Sequence, residues 1–277
     1  MGRIANGWHI ATASWRVLSR DRELVVVPVV AAVVAALGFA AVAVPGFLLL
    51  GGSDAAQASD VALWLVLALA TVVGTWALAI GSAAVVAGAA ERMAGGEPTL
   101  GSAFAAARAR SGRLLGWAVL ATVVSIVLDQ IEERLGFLGR VVSWIAGTAF
   151  GVVSFLALPV IVFEDVGAIE GLRRSARLLR STWGEQLTFN FGIGLLGFLA
   201  VLPAVALAAG LVATGVVVLQ VVGIVVAGAW IVVCLAVTSA LSAVFKAALY
   251  RWAKGLPVDP AFDAGGLTGA FRHRDDR

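Results

Sequence analysis

Apolar runs as long as a bilayer is thick constrain this chain more than any other feature. A hydrocarbon core about 30 Å deep takes roughly 20 helical residues at about 1.5 Å each. Such runs recur at 24–50, 61–90, 114–128, 141–163, 187–211 and 216–250, leaving no room among them for a second, water-soluble domain. The division between the last two is the least marked, because residues 187–245 carry no charge and only GLVATG (210–215) offers a turn. A single helix there would be about 90 Å long, some three bilayers, so two spans are required. Composition agrees: 61% of the 277 residues are hydrophobic and 13% charged, against about 25% charged in soluble domains, and mean hydropathy is +0.98. The expected fold is an all-α polytopic transmembrane bundle of six spans over residues 1–256, followed by a cytoplasmic tail at 257–277.

Charge tests the span count independently, since Lys and Arg in short loops are retained on the cytoplasmic side. Six spans place all but two of the 20 basic residues on one face; Arg134 and Arg140 are the exceptions. The opposite face carries Asp54, Asp60, Asp129, Glu132 and Glu133. An odd number of spans scatters the basic residues and loses this pattern. Both termini are therefore expected in the cytoplasm, with the protein in the cell membrane. The first run is too long for the apolar core of a cleaved signal peptide, so it is expected to remain in the mature protein. The sequence pI near 9.7 reflects this topology rather than a nucleic-acid surface, and no nucleic acid is expected as a partner. Cys234 is the only cysteine, so no intrachain disulfide can form.

Between the fourth and fifth runs lies VFEDVGAIEGLRRSARLLRSTWGEQ (162–186). Ile169, Leu172, Ala176, Leu179 and Trp183 recur at steps of three and four, which places them on one helix face, with Arg173, Arg174, Arg177 and Arg180 off that stripe. Asp165 is positioned to cap the helix start, and Glu170 precedes Arg173 and Arg174 by one turn. The N-terminus repeats the device: Ile4, Trp8, Ala11, Trp15 and Leu18 form a stripe, with Arg3, Arg16 and Arg20 outside it. A third copy is Leu100, Phe104, Ala107 and Leu114 beside Arg108, Arg110 and Arg113. The pattern predicts an amphipathic cytoplasmic elbow followed by an out-and-back helix pair, used three times. Anionic headgroups attract each interfacial Lys or Arg by about 1 kcal/mol. Arg173, Arg174, Arg177, Arg180, Arg16 and Arg108 are thus the candidate residues for binding lipid headgroups or a membrane-protein partner. The plainer use of the same charges is topological anchoring.

Two segments, GWHIATASWRVLSRDRELVVVPVV and LPVIVFEDVGAIEGLRRSARLLRSTWGEQ, resemble an uncharacterised group of prokaryotic six-span membrane proteins. More distantly they resemble the membrane region attached to some glycerophosphoryl diester phosphodiesterases. The resemblance implies a bundle with amphipathic elbows and no established activity. Catalysis in the wider group belongs to a separate soluble barrel, so no catalytic residue carries over.

The chemistry-bearing residues give no competing reading. Nucleophilic or acid-base catalysis needs a nucleophile, a base and an orienting group brought together. His9 and His273 have no partners at metal-ligand spacing, and adjacent Glu164 and Asp165 point about 100° apart on a helix. Glu91 and Glu164 share the cytoplasmic ends of two spans, where they read either as a carboxylate pair at the bundle mouth or, more plainly, as helix-end solvation. GIGLLG (192–197) spells a dinucleotide fingerprint, but inside a span, with no strand before it. It reads instead as helix packing, as does the G-x-x-x-G of GTAFG (147–151). Pro28, Pro45, Pro159 and Pro203 fall within or near the ends of spans, where they can kink helices. Span interiors hold no central Asp, Glu, Lys or Arg, which disfavours proton-coupled transport. The expected role is a non-enzymatic scaffold without cofactor or metal, binding a partner or lipid headgroups; the alternative is a transporter of a lipid or apolar solute.

Overall fold

The computed structural model describes residues 14–15, 23–50, 60–183, 191–258 and 262, and every regular element among them is helical. The helices are α1 (Glu23–Leu49), α2 (Asp60–Met93), α3 (Leu100–Arg108), α4 (Ser111–Val153), α5 (Ala157–Glu164), α6 (Ala168–Trp183), α7 (Phe191–Ala213) and α8 (Val217–Ala253). Four stretches are long and apolar enough to cross a membrane: Val26–Leu49, Val61–Met93, Ser111–Glu164 and Val217–Ala253. A shorter apolar stretch covers Leu199–Ala213. Their outward surfaces are apolar, with Leu65, Trp144 and Val218 all about two-thirds exposed or more. Water does not tolerate so much contiguous apolar surface, whereas lipid covers it at no cost. The chain is a membrane protein.

The residues divide into two compact units. The unit formed by Val30–Ala87 and Gly101–Arg180 contains most of α1 and α2, and α3 through α6 apart from their outermost residues. Here α1 and α2 run antiparallel: a Cβ added at Gly38 would lie 3.0 Å from Val73 Cγ1, and one at Gly74 would touch Ala35 and Phe39. At Gly46 any side chain would collide with Val66. Trp76 Nε1 donates to the Ser111 carbonyl at 2.9 Å, tying α2 to the start of α4.

Helix α4 is itself an out-and-back pair. It reverses at Gly136, whose φ of 54° and ψ of −125° are open essentially to glycine alone. Across the reversal Ser143 Oγ donates to the Leu128 carbonyl at 2.9 Å, and Trp117 stacks on Phe150 with ring centroids 6.0 Å apart. The sequence pattern leaves residues 129–140 as a loop between spans. Instead the helix continues to the reversal, carrying Asp129, Glu132 and Glu133, and Arg140 Nε reaches Glu132 at 3.0 Å. The G-x-x-x-G at Gly147 and Gly151 does not bring backbones together here: a Cβ at Gly147 would meet Leu128 at an ordinary 3.6 Å, and Gly151 has nothing within 4 Å.

The fourth apolar run, expected as one helix over 141–163, is broken at residues 154–156. Pro159 supplies the reason. Its ring is incompatible with a helical carbonyl four residues back, at Phe155, but is harmless in the first turn of a new helix, where N–H groups have no intrahelical partner. The break frees the Leu156 N–H, which donates to Ser175 Oγ at 3.1 Å; that hydroxyl donates onward to the Val153 carbonyl at 2.6 Å. Ser175 on α6 thus splices the broken span.

The other unit comprises Met1–Val29, Gly88–Leu100 and Ser181–Arg277. Its main feature is the antiparallel pair α7 and α8, reversing at Gly215 with φ 71°, within the turn expected from GLVATG. Gln220 Nε2 donates to the Val212 carbonyl at 3.1 Å near the reversal, and Trp230 Nε1 to the Ala200 carbonyl at 2.9 Å further along. The last third of α8 is its most buried part, including Ala243, Val244, Phe245, Ala247, Ala248 and Leu249. GIGLLG falls in α7, helical as expected.

Candidate functional site

The elbow after the fourth run begins with Asp165, the residue closing α5, in the left-handed conformation (φ 54°, ψ 43°) that Asp tolerates better than most residues. Its carboxylate does not cap α6, as the sequence suggests. It forms an ion pair with the Arg113 guanidinium and lies 3.7 Å from Arg110 Nε, both contributed by the junction of α3 and α4. Once the chain turns left-handed at Asp165, the carboxylate meets those two cations rather than the first amides of α6. The hydrogen bond from Arg113 holds the Asp165 carboxyl below its ordinary range, with the charges of Arg113 and Arg110 adding to it and partial burial opposing.

Helix α6 then arranges its charges by helical spacing. Glu170 Oε1 accepts from Arg174 Nε at 2.9 Å and from Arg177 Nη2 at 3.1 Å, and its Oε2 lies 4.0 Å from Arg173 Nη1. The hydrogen bond from Arg174 is the leading cause of a lowered Glu170 pKa. Arg174 also donates Nη1 to Glu164 at 2.6 Å, so it clamps the end of α5 to α6, and these two carboxylates raise its own pKa. Glu164 and Asp165 point apart as expected, one to α6 and one to α4.

The buried face of α6 takes in only part of the expected apolar stripe. Gly171, Ser175 and Leu179 are buried, whereas Ile169 is 60% exposed and Leu172 and Ala176 are half-buried. Gly171 belongs on the packed side because a Cβ there would sit 2.7 Å from Ile161 Cγ1. Turning this small-residue line inward turns the Arg173 and Arg177 side chains outward, 72% and 70% exposed, while Arg174 at 37% stays against the chain. Arg180 and Arg108 are exposed. Arg16 lies outside the described residues, as do His9, His273 and the N-terminal stripe apart from Trp15, which is exposed. In the third elbow, Ala107 and Leu114 are buried and Leu100 and Phe104 half-buried.

The cluster therefore sets five guanidiniums against three carboxylates and keeps a surplus of positive charge, with two of its arginines projecting outward. Guanidinium forks of this kind match phosphate oxygens geometrically as well as electrostatically. Among the described residues no three His, Cys, Asp or Glu side chains converge as a metal site would require. Two participants have weak sequence signals. Ser175 stands in a helix of Arg and Leu four residues from both Gly171 and Leu179, and Asp165 is the second of two adjacent acids after an apolar segment, 52 residues from Arg113.

No curated protein and no solved structure matches the chain. The model of a family of unknown function does match, over residues 61–257, a range that takes in α2 through α8 and the whole arginine elbow. The chain belongs to this family of unknown function, DUF6159.

Proposed function

We propose that this protein is a six-span scaffold of the cell membrane, without enzymatic activity, whose arginine elbow holds anionic lipid headgroups at the cytoplasmic face. The observation that carries the reading is the surplus of cations on α6: Arg174 is engaged by both Glu164 and Glu170, while Arg173 and Arg177 share only Glu170 and project outward, 72% and 70% exposed. An arginine needed only to close an ion pair has no reason to be surplus to the available carboxylates. Surplus, outward guanidiniums at a membrane surface attract phosphate.

The reversal at Gly136 supports six spans, since it divides Ser111–Glu164 into two passes, and α7 adds another to the remaining long stretches. Each pair follows a basic segment: the N-terminal residues, α3 and α6. This ordering supports a threefold elbow-and-hairpin plan with both termini cytoplasmic. The acids Asp129, Glu132 and Glu133 outnumber Arg134 and Arg140 near the Gly136 reversal, as expected for the opposite face.

The test is native mass spectrometry of the full chain released from nanodiscs containing equal phosphatidylglycerol and phosphatidylcholine. Replacing Arg173, Arg177 and Arg180 with Gln removes three surface cations at about 1 kcal/mol each, so preference for the anionic lipid should fall by roughly two orders of magnitude. Unchanged preference in a folded triple variant would reduce these arginines to topology anchors.

A further inference from the structure

Beside the elbow, within the same compact unit, an open groove of about 480 Å³ runs between α4 and the start of α6. Its floor is Gly116, Val119, Leu120 and Val123, spaced to lie along one face of α4, and its rim is formed by residues 167–170. Two features make it concave. Gly116 presents no side chain, and a Cβ built there would reach Ala168 Cβ only at 4.0 Å. Ile169 stands out from α6 as a wall rather than packing inward. The surfaces left open are apolar: Val119 is 43% exposed, Val123 51% and Ile169 60%.

Basic residues flank the groove. Arg173 lies one helical turn after Ile169 on α6 with its side chain 72% exposed, and Arg113, one turn before Gly116 on α4, is ion-paired with Asp165. Glu170, on the rim, is held by Arg174 and Arg177 and does not repel an anion as a free carboxylate would. From this cationic mouth the floor runs along α4 toward the hydrocarbon core. Cations at the interface and an apolar channel leading inward complement one molecule of a bilayer: a phospholipid with its phosphate at the mouth and one acyl chain along Val119, Leu120 and Val123.

We infer that this groove is a binding site for a single anionic glycerophospholipid, its phosphate met by Arg173. The inference rests on the headgroup reading and deepens it, from a charged surface that any anionic lipid passes to a built site with an acyl-chain slot. The volume falls within the roughly 300–1,000 Å³ typical of small-molecule sites.

The test uses the full chain in nanodiscs of phosphatidylcholine and phosphatidylglycerol, with a trace of phosphatidylglycerol carrying a photoreactive diazirine in one acyl chain. Adducts mapped after irradiation should concentrate at residues 116–123 and 167–170. Filling the slot with Val119→Trp and Val123→Trp, at exposed positions where bulk does not disturb buried packing, should cut those adducts at least fivefold. Val119→Ala with Val123→Ala, which adds no bulk, should keep them. Adducts spread evenly over the outward faces of other helices, or undiminished in the Trp variant, would overturn the groove. If the arginine triple variant still loses its anionic preference, the headgroup reading then survives without the groove. Loss of adducts in the Trp variant with retained native lipid preference would show that the slot and the wider charged surface bind separately, and would overturn the assignment of both to one site.

Discussion

Replacing Ser175 with Ala should weaken the protein far more than its loss of one small polar group suggests. The hydroxyl holds two backbone groups on opposite sides of the 154–156 break, accepting from the Leu156 N–H at 3.1 Å and donating to the Val153 carbonyl at 2.6 Å. Interhelical side-chain hydrogen bonds measured by double-mutant cycles in a helical membrane protein average about 0.6 kcal/mol, which for two gives about 1.2. Leu156 is 1% exposed and cannot turn to water, however, and a buried amide left without an acceptor costs about 1–3 kcal/mol. The orphaned donor dominates, so the expected loss is about 2 kcal/mol, about 30-fold in the unfolding constant. Titrating folded protein in mixed micelles with a denaturing detergent, followed by tryptophan fluorescence, measures it. Hydrogen exchange locates it: Leu156 should lose protection before Val160, whose amide keeps the Leu156 carbonyl at 3.0 Å. Ser154→Ala is the control, because that exposed hydroxyl makes one peripheral bond to the Gly151 carbonyl. Ser175→Ala within about 0.5 kcal/mol of the native protein, with Leu156 exchange unchanged, would refute the splice.

Glu170→Gln removes the carboxylate that restrains Arg173, Arg174 and Arg177, so anionic-lipid retention should rise by about fivefold on the scale of 1 kcal/mol per surface charge; a fall, read by native mass spectrometry, would contradict the headgroup reading. The acid side chains also fix a pH window. Asp165 and Glu170 both have folded pKa values below their ordinary ones, so their contribution is complete above the ordinary carboxylate range and is lost as pH falls through the folded values. Hydrogen-exchange protection of α6 should thus hold from about pH 7 to 5 and decline only below about pH 4; decline near pH 6 would implicate another group. Gly171→Ala brings a Cβ to 2.7 Å from buried Ile161 and should cost about 1–3 kcal/mol in the same micelle titration. Gly136→Ala has open space around its Cβ, so its cost, also about 1–3 kcal/mol, comes from the backbone conformation alone.

What was legible in the residues and what was not follows from the solvent. Boundaries of apolar runs are set by length, so the expected 24–50, 61–90 and 216–250 meet helices at Glu23–Leu49, Asp60–Met93 and Val217–Ala253. The Gly215 turn was visible because nothing else interrupts 187–245, and Glu170 with Arg174 because a four-residue step brings them together. The inward face of α6 is marked by small residues for a reason specific to membranes. Hydrophobic periodicity locates the core when the outside is water; when the outside is lipid, Ile169 can face outward and small residues mark the packed line. Asp165 with Arg113 is a contact between segments 52 residues apart, and no local pattern announces it.

The elbow's charges and the broken span belong to one construction. Pro159 forces a new helix to start at Ala157, only eight residues before Asp165, which leaves α5 too short to fix its own direction. Three contacts supply that direction: Ser175 at the break, Arg174 on Glu164 at the far end of α5, and Arg113 on Asp165 just beyond it. Each draws on α6 or α4, the two helices that bound the apolar groove. The Arg113–Asp165 pair is exposed and individually weak, and the Arg174–Glu164 pair is only partly buried, so their value lies in geometry more than in stability. They hold the Ile169 wall beside the Val119 and Val123 floor, leaving Arg173 and Arg177 at the surface. A Glu164→Gln and Asp165→Asn double variant should accordingly stay folded while its groove loosens, and lipid adducts at 116–123 should fall even though net positive charge has risen. Adducts that rise with the charge would mean electrostatics alone recruits the lipid, and that the α5 contacts do not shape its site.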